Sequence, residues 1–330
     1  MNDDWRPLCS VETLRIRAAM LRGMRQFFHD GGYLEVETPL LSADIVVDAH
    51  LEPFEIQAAP ARLFLQTSPE AGMKRLLAAG CGSIFQITRS FRRDEFGPRH
   101  NPEFTIVEWY GIGTSASDQM QFTADLIQAA IDEAALDSDA AARLTKPFSV
   151  RTYEDAFRHV VPGSVLDASV EDLRQRIAVA GLLPNVSCLP DDRDDLLNLL
   201  LAEYVEPKLG SDSPLFLTDY PASQAALAEL SDTDHRVAKR FELYVGGIEL
   251  CNGYQELTDV AELRKRDETQ NASRTCHGVS PLPGAARLMN AMRYGLPNCS
   301  GVALGFDRLV MAATGAASIR DVIPFPIDVA

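Results

Sequence analysis

Residues 91–110 read FRRDEFGPRHNPEFTIVEWY. Strand-forming residues fill the end of this stretch, 104–110, and also the segment 83–91, whereas residues 92–103 are mostly charged or turn-forming. Two strand-like runs joined by one polar segment predict an antiparallel hairpin with a long loop. Side chains along a strand alternate between its two faces, so we expect one face to carry Phe104, Ile106, Glu108 and Tyr110.

Glu108 places a carboxyl on a face that is otherwise apolar and aromatic. Taken alone, an acid near the end of a strand is explained by exposure to water. The adjacent loop favours another interpretation, because it gathers Arg92, Arg93, Arg99 and His100. Clustered cations repel one another unless an anion lies among them, and arginine suits phosphate. A solvated loop is the alternative that composition allows.

A second hairpin is predicted around Gly246-Gly247, a dipeptide suited to a tight primed turn. With that turn Tyr244 pairs with Glu249, which makes Glu242 and Glu249 diagonal neighbours on one face. Two carboxylates on one patch are unfavourable without a cation, and oxygen ligands suit a hard ion such as Mg²⁺ that carries substrate phosphates. Two exposed acids on a wet face are the alternative.

Residues 300–311 read SGVALGFDRLVM, a glycine-punctuated strand that enters a helix near Phe306. Arg308 then lies in the first helical turn, where a cation opposes the helix dipole unless an anion such as phosphate binds there. A salt bridge between Arg308 and Asp307 is the alternative. The sequence contains neither a G-x-x-x-x-G-K-[ST] loop nor a G-x-G-x-x-G fingerprint, so a nucleotide site here must be of another kind.

The N-terminal part predicts helices and short strands. Apolar spacing indicates a helix over 11–30 that stops at Gly31-Gly32, and residues 33–38 form a strand that runs into Pro39. After short strands near 54–56 and 63–66, we expect an N-cap, a first-position proline and a first-turn acid at Ser68-Pro69-Glu70, in a helix that reaches Ala79 and closes at Gly80.

Two segments, 137–142 and 187–195, have loose composition and are expected to be surface loops or an insertion. Hairpins outnumber crossover helices along the whole chain. We therefore predict an α+β fold with a largely antiparallel sheet flanked by helices.

Composition limits the classes of protein that remain. The chain has 330 residues, 46% of them hydrophobic, and a net charge of −16, which disfavours a large nucleic-acid interface. It has no apolar run of about 18 residues and no signal-peptide pattern at its start, so we expect a cytoplasmic protein. No C-x-x-C pair occurs, which predicts free thiols rather than a zinc site or disulfides at Cys9, Cys81, Cys188, Cys251, Cys276 and Cys299.

From about residue 10 to its end the chain resembles the class II aminoacyl-tRNA synthetases, and within them the lysyl branch. Residues 28–39 resemble motif 1, whose proline lies at a dimer interface; residues 91–110 resemble motif 2, and residues 301–311 resemble motif 3. Each motif is weak alone, but three in order are specific. The lysyl branch is indicated by Ser68-Pro69-Glu70 and by residues 249–257, ELCNGYQEL.

The resemblance implies one catalytic domain over residues 1–330 that uses ATP and Mg²⁺. Arg92 would contact the α-phosphate and the substrate carboxylate, and His100 and Arg308 would contact the outer phosphates. Phe104 and Arg308 would enclose the adenine. The implied ATP site comprises Arg92, Arg93, Asp94, His100, Asn101, Phe104, Glu242, Glu249, Leu250, Gly305 and Arg308, with Arg92 and Arg308 catalytic and Glu242 and Glu249 holding Mg²⁺.

The same resemblance implies an amino-acid pocket in which Glu256 meets the terminal ammonium of the substrate. The implied lining is Ser68, Pro69, Glu70, Glu108, Tyr110, Asn252, Tyr254, Glu256 and Ala303. One departure from the family lies in the ATP site. The family usually has glutamate where this chain has Asp94, a side chain shorter by one methylene.

Lysyl synthetases of bacteria also carry an N-terminal β-barrel that grips the anticodon, whereas the motif 1 helix is expected here from residue 11. That truncation, the acidic balance and Ala303, where lysyl synthetases typically have glycine, resemble paralogous ligases that attach (R)-β-lysine to elongation factor P. The resemblance implies a homodimer whose partners are a small amino acid and elongation factor P, without tRNA or membrane. Two alternatives stay open: a stand-alone lysyl-adenylate former that charges tRNA or another carrier, and a non-catalytic regulator.

Overall fold

The computed structural model describes residues 5–58, 61–182 and 189–330. The chain divides into two compact units, unit 1 (Met1–Thr145 with Gln255–Ala330) and unit 2 (Lys146–Tyr254). Within the described ranges no helix is both long and apolar enough to span a membrane. The single catalytic domain expected over residues 1–330 stays a prediction.

Both units contain helices and strands. The first part of unit 1 contains α1 (Val11–Asp30), β1 (Leu34–Glu35), β2 (Leu41–Ser42), β3 (Glu55–Ala58), β4 (Ala61–Leu65), α2 (Glu70–Ala78), β5 (Ile84–Phe91), β6 (Glu103–Ile112), α3 (Ala116–Glu133) and α4 (Asp139–Leu144). Unit 2 contains β7 (Ser149–Thr152), α5 (Tyr153–Phe157), α6 (Val170–Val179), α7 (Arg193–Leu200), β8 (Leu215–Pro221), β9 (Val237–Val245) and β10 (Ile248–Gln255). The chain returns to unit 1 with α8 (Val260–Cys276), α9 (Ala286–Gly295), β11 (Cys299–Gly305) and α10 (Phe306–Thr314).

In unit 1 four strands are hydrogen-bonded in the order β1-β5-β6-β11. Strand β1 runs parallel to β5, whereas the pairs β5-β6 and β6-β11 are antiparallel. One face of these strands is apolar: Phe28 of α1 stacks on Phe85 with ring centroids 4.3 Å apart. On the same face Trp109 donates from Nε1 to Oε1 of Gln119 on α3, at 2.7 Å. The opposite face carries Glu108.

In unit 2 four strands follow the order β10-β9-β8-β7. The turn between β9 and β10 has positive φ at Gly246 (57°) and Gly247 (72°), as a primed turn requires. The predicted hairpin and its pairing of Tyr244 with Glu249 are therefore confirmed. The buried core of unit 2 includes Tyr153, Phe157, Leu173, Ile177, Leu196, Leu197 and Leu217.

The structure confirms the α+β class and a largely antiparallel arrangement of strands. Helix α1 has the predicted bounds because Ser10 caps its first turn through the Thr13 N–H, at 3.0 Å. At its other end Gly32 adopts φ of 76°, which only glycine adopts readily. The hairpin of β5 and β6 and the helix that begins at Phe306 also agree with the predictions.

Two predicted boundaries were wrong. The strand expected over 33–38 is limited to Leu34–Glu35, although the Val36 N–H still donates to the Phe85 carbonyl at 2.9 Å. Helix α2 begins at Glu70 and ends at Ala78, so Pro69 is its N-cap residue and not its first helical residue. The Ser68 hydroxyl accepts from the Glu70 N–H at 3.1 Å and donates to Glu108, so it contacts the first turn from the position before the N-cap residue.

The loose segments are shorter than predicted. Helix α4 (Asp139–Leu144) occupies most of the segment 137–142, because Ser138 caps it through the Ala141 N–H at 3.1 Å and Leu144 is buried. Helix α7 begins at Arg193 after an Asp192 cap, inside the second segment. Residues 187 and 188 of that segment lie outside the described residues. Of the cysteines, five are free thiols and Cys188 is outside the described part.

Candidate active site

Three glutamates and one lysine of unit 1 lie together beside β6. Glu70 and Lys74 lie one turn apart on α2, and Lys74 Nζ is 2.5 Å from Glu70 Oε1. The same Nζ is 2.5 Å from Oε2 of Glu256. Glu256 directly follows β10, where its N–H donates to the Cys299 carbonyl of β11 at 3.1 Å. With Glu108, these residues form a group that we call the carboxylate cluster: Glu70, Lys74, Glu108 and Glu256.

Glu108 is held by two hydroxyl groups. Its Oε2 accepts from the Ser68 hydroxyl and its Oε1 from the Tyr110 hydroxyl, both at 2.7 Å. The residue is 1% exposed. Burial, with a contribution from the charge of Glu70, raises the pKa of Glu108 to about 7. The carboxyl therefore changes charge near neutral pH, unlike the water-facing acid that was the alternative.

The pair of Lys74 and Glu256 is also buried. Burial opposes the charge on Lys74, yet the carboxylates of Glu256 and Glu70 together raise its pKa. Burial raises the pKa of Glu256, and the Lys74 ammonium opposes that rise. With every group ionised, three carboxylates face one ammonium, so two negative charges remain in excess. Such a cluster attracts a ligand with positive charge.

Strand β11 completes the wall around the cluster. Ala303 pairs directly with Glu108 across the strands and Gly301 with Tyr110, so these residues share one face. A Cβ atom on Gly301 would lie 2.4 Å from Cε1 of Tyr110 and 2.5 Å from Oε1 of Glu256. Only glycine leaves room there. The methyl group of Ala303 lies next to Glu108, and its place in the amino-acid pocket stays a prediction.

The loop between β5 and β6 begins at Arg92. Its guanidinium carbon lies 5.0 Å above the centre of the Phe104 ring, and Nη1 is 3.1 Å from Oε1 of Glu95. Nε donates to the Thr67 carbonyl at 3.4 Å. The Arg92 guanidinium therefore lies over the ring that was expected to face adenine, and these contacts hold it beside β6.

Arg308 and His100 are the two residues predicted to bind the outer phosphates, and the structure brings them together. Nη2 of Arg308 lies 2.6 Å from Nε2 of His100, and Nε donates to the Arg99 carbonyl at 3.3 Å. Burial and then the charge of Arg308 lower the pKa of His100, and the cations Arg92 and Arg99 add to this. The imidazole is thus neutral in a cationic surrounding, which suits an anion such as phosphate.

Asp307 was the alternative partner of Arg308. Its Oδ1 lies 2.6 Å from Nη2 of Arg17 on α1, and its Oδ2 accepts from the Thr105 N–H at 2.7 Å. Arg17 in turn lies 5.0 Å from the centre of the Phe306 ring. These contacts attach the first turn of α10 to α1 and β6, so Asp307 stabilises the helix end that carries Arg308.

The remaining predicted ATP-site residues of unit 1 have simpler surroundings. Arg93 and Asp94 pair with each other at 3.2 Å, and the Asp94 side chain is 69% exposed. Asn101 is buried, donates to the Glu103 carbonyl at 2.6 Å and accepts from the Ile327 N–H at 3.0 Å. It fixes the loop to the C-terminal segment. Gly305 is the N-cap residue of α10.

In unit 2 Glu242 is surrounded by donors. Its Oε2 accepts from the hydroxyls of Tyr220 at 2.5 Å and Tyr244 at 2.6 Å, and its Oε1 lies 2.5 Å from Nη2 of Arg240. Arg240 also lies 4.4 Å from the centre of the Tyr220 ring. Arg240 therefore neutralises part of the charge of this carboxylate, and the Mg²⁺ expected at Glu242 and Glu249 stays a prediction.

The carboxylates of Glu242 and Glu249 still suit a divalent ion in number and kind. Burial raises the pKa of Tyr244 and of Cys251, and the charges of both glutamates add to each rise. Both carboxylates therefore act on the same part of the hairpin. In the described ranges no three His, Cys, Asp or Glu residues could hold a metal by themselves. Mg²⁺ accepts such a site when phosphate oxygens and water supply its other ligands.

A β-bulge sets the positions of the residues of β10 that were predicted to bind substrates. The register shifts between Glu249 and Cys251, so Leu250 is buried at the bulge and Asn252 lies opposite Glu242. Nδ2 of Asn252 donates to the Tyr254 hydroxyl at 2.7 Å. Among the described residues its buried Oδ1 has no hydrogen-bond partner. An unsatisfied buried acceptor suits an ammonium donor.

Four residues that hold these groups were not predicted from the sequence: Lys74, Arg17, Tyr220 and Arg240. Lys74 has a local signal, since it follows Glu70 by four positions in a predicted helix, the spacing of an ion pair. Arg240 has one too, since it precedes Glu242 by two positions on one strand and therefore shares its face. Arg17 contacts residues far along the chain. No local pattern in the sequence indicates the contact of Arg17 with Asp307 or that of Tyr220 with Glu242.

Comparisons with known proteins support this arrangement of motifs. The family profile described as tRNA synthetases class II (D, K and N) matches residues 4–329. Similar curated proteins are the elongation factor P–(R)-β-lysine ligases of Salmonella gallinarum, Salmonella dublin and Salmonella paratyphi B. Each is 45% identical over 330 residues, and the alignment covers 98% of this chain and 98% of the relative.

Proposed function

This chain belongs to the class II tRNA synthetases of the D, K and N type, and on that basis we propose that it activates (R)-β-lysine with ATP and transfers it to a lysine side chain of elongation factor P. The names of the curated relatives support the choice of amino acid and acceptor. The reaction is that of an AMP-forming ligase.

The carboxylate cluster is the observation that carries this proposal. When its carboxyl groups are ionised the cluster carries two excess negative charges, and its residues Glu108 and Glu256 are buried beside Tyr110 and the strand of Ala303. An amino acid with two ammonium groups neutralises them, whereas one with a single ammonium leaves a buried charge uncompensated. (R)-β-Lysine and α-lysine both carry two ammonium groups, so the cluster supports a diamino acid.

In the first step an oxygen of the substrate carboxylate attacks the α-phosphorus of ATP. The bond from this phosphorus to the bridging oxygen breaks, and pyrophosphate leaves. We propose that Arg92 orients the carboxylate and the α-phosphate, while Arg308 and His100 bind the outer phosphates. Fixed cations aimed at developing charge are the largest source of rate enhancement in such reactions. Mg²⁺, bound by Glu242 and Glu249, would neutralise phosphate charge.

In the second step the neutral amine of the acceptor lysine attacks the acyl carbon of the adenylate. An amide bond forms, AMP leaves with the electrons of the broken C–O bond, and the amine loses a proton. We propose that Arg92 neutralises the leaving phosphate. No covalent intermediate with the protein is required, which agrees with the burial of Cys251 and the raised pKa that burial gives its thiol.

Intact-mass spectrometry of elongation factor P tests the proposal. The factor is incubated with the protein, ATP and either (R)-β-lysine or α-lysine. We expect a mass increase of one lysyl residue, larger in yield with (R)-β-lysine, and none when the acceptor lysine is replaced by arginine. Unmodified factor with both isomers, together with charging of bulk tRNA by lysine, would show instead a stand-alone adenylate former.

We also propose a homodimer through motif 1. Strand β1 is at the end of the strand order, and apolar side chains near it are exposed: Leu34 (52%), Leu40 (38%) and Leu41 (40%). Covering them with a second copy would bury apolar surface. A cytoplasmic location is supported by the five described cysteines, which are free thiols.

A further inference from the structure

Lys74 lies inside the carboxylate cluster, although no role was predicted for it. Its side chain is 2% exposed, and its Nζ lies 2.5 Å from both Glu70 Oε1 and Glu256 Oε2. The same nitrogen is 5.9 Å from the centre of the Tyr110 ring. Two carboxylates and one aromatic face are the surroundings that a substrate ammonium would require. The protein has placed an ammonium of its own there.

The Lys74 ammonium contacts one carboxylate oxygen of Glu256 and leaves the other oxygen for a different partner. Oε2 is occupied by Lys74, whereas Oε1 lies against Gly301, where a Cβ atom would be only 2.5 Å away. Oε1 is thus directed at the strand that also carries Ala303. Lys74 fixes which oxygen of Glu256 remains for the substrate.

We propose that Lys74 is the specificity-determining positioning residue of the amino-acid pocket. It orients Glu70 and Glu256 and cancels one of the three negative charges, so that the pocket accepts two substrate ammonium groups. This inference rests on the proposed activation of a diamino acid. It adds a residue that touches the pocket carboxylates and acts on the substrate through them.

Lys74 faces titratable groups on its own helix, on β6 and after β10. They are Glu70 on its own helix, Glu108 and Tyr110 on β6, and Glu256 after β10. Helix α9 packs on α2, and its arginines are engaged elsewhere: Arg287 pairs with Asp44 at 2.8 Å and Arg293 donates to Asn290 at 2.6 Å.

Removing the ammonium would leave Glu70 and the buried carboxyl groups of Glu108 and Glu256 without this compensating cation. The charge of Lys74 lowers the pKa of Glu256 and of Glu108, so its loss raises both. The carboxyl groups of Glu108 and Glu256 would then take up protons, and these protons would neutralise the cluster in place of Lys74. A protonated carboxyl binds a substrate ammonium poorly, and the fixed geometry of Glu256 is lost with the ion pair.

ATP–pyrophosphate exchange between pH 6 and pH 9 tests this role in Lys74→Met and Lys74→Arg, with the exposed Lys265→Met on α8 as the matched control. For Lys74→Met we expect KM for (R)-β-lysine to rise about tenfold for each unit by which the carboxyl pKa increases, while KM for ATP stays unchanged. The rise should shrink toward pH 9. Lys74→Arg should restore most of the affinity, and Lys265→Met should behave as wild type.

Several outcomes would overturn the role. An unchanged KM for (R)-β-lysine in Lys74→Met excludes it, and so does a loss of activity that affects both substrates equally without moving the pH profile. If Lys74→Met does not fold, Lys74→Gln carries the same measurement. Absence of exchange in the wild type with every diamino acid contradicts the proposed function instead, and the role of Lys74 falls with it.

Discussion

Nη2 of Arg308 lies 2.6 Å from Nε2 of His100. An arginine can only donate, so the imidazole accepts at Nε2 and carries its proton on Nδ1. Burial and the charge of Arg308 lower the pKa of His100, which agrees with that neutral form. The histidine therefore orients the guanidinium that we propose binds the outer phosphates of ATP.

We expect His100→Ala to raise KM for ATP in the exchange assay while KM for the amino acid changes little. Loss of a hydrogen bond to a charged group costs about 1.5–3 kcal/mol, which is about tenfold to a hundredfold in affinity. His159→Ala, at an exposed position of unit 2, is the matched control. Equal effects of both variants on ATP would contradict the role of His100.

Arg92→Ala and Glu249→Ala should each abolish most of the ATP–pyrophosphate exchange. Removing one fixed charge that stabilises the transition state costs roughly 3 kcal/mol or more. The exposed residues Arg75 and Glu203 provide matched alanine controls. Addition of EDTA should mimic Glu249→Ala in the wild type. Exchange at the wild-type rate in either variant would remove that residue from the mechanism.

Glu108→Gln should alter the pH dependence of stability. Burial raises the folded-state pKa of Glu108 from 4.5 to about 7, so the stability due to its protonated form is complete below pH 4.5 and is lost as the pH rises to about 7. The shift corresponds to about 3 kcal/mol. Urea unfolding at pH 4.5 and pH 8 should show a smaller decrease for Glu108→Gln than for wild type, whereas the exposed Glu12→Gln should match wild type. The same decrease in all three proteins would refute this.

Ala303→Gly should shift selectivity toward α-lysine relative to (R)-β-lysine. The methyl group of Ala303 lies beside Glu108, where it reduces the room for an α-ammonium. A change of one methyl group in a pocket is worth roughly 1–3 kcal/mol, enough to alter preference about tenfold. The measurement compares kcat/KM for both isomers in exchange. If Ala303 only packs the strand, Ala303→Gly lowers stability and leaves the ratio unchanged.

Local patterns in the sequence were sufficient to predict both hairpins and their faces. The alternation along β6 put Glu108 and Tyr110 on one face because strand geometry has a period of two. The turn at Gly246-Gly247 followed from residues that adopt positive φ. The fold class follows from such local signals, and the order of the three motifs identifies the family.

Local patterns also failed where neighbours in space decided the outcome. The segment of helix α4 was predicted to be a loop, although Ser138 is a good cap. A helix this short is stabilised by tertiary packing, here by the burial of Leu144, and the sequence alone does not show that packing. The Ser68 hydroxyl was expected to cap a helix, but it also serves Glu108 on β6. No neighbouring residue in the sequence reveals that second partner.

By itself the sequence determined the fold class, the family and the kinds of side chains in the site, because these depend on spacing along one strand or helix. Only the tertiary structure decided how those side chains share their charges. Lys74 meets Glu256 because the segment that follows Gln255 lies beside α2, and Tyr220 donates to Glu242 because β8 pairs with β9. Such pairs depend on sheet register and helix packing, which a one-dimensional pattern does not contain.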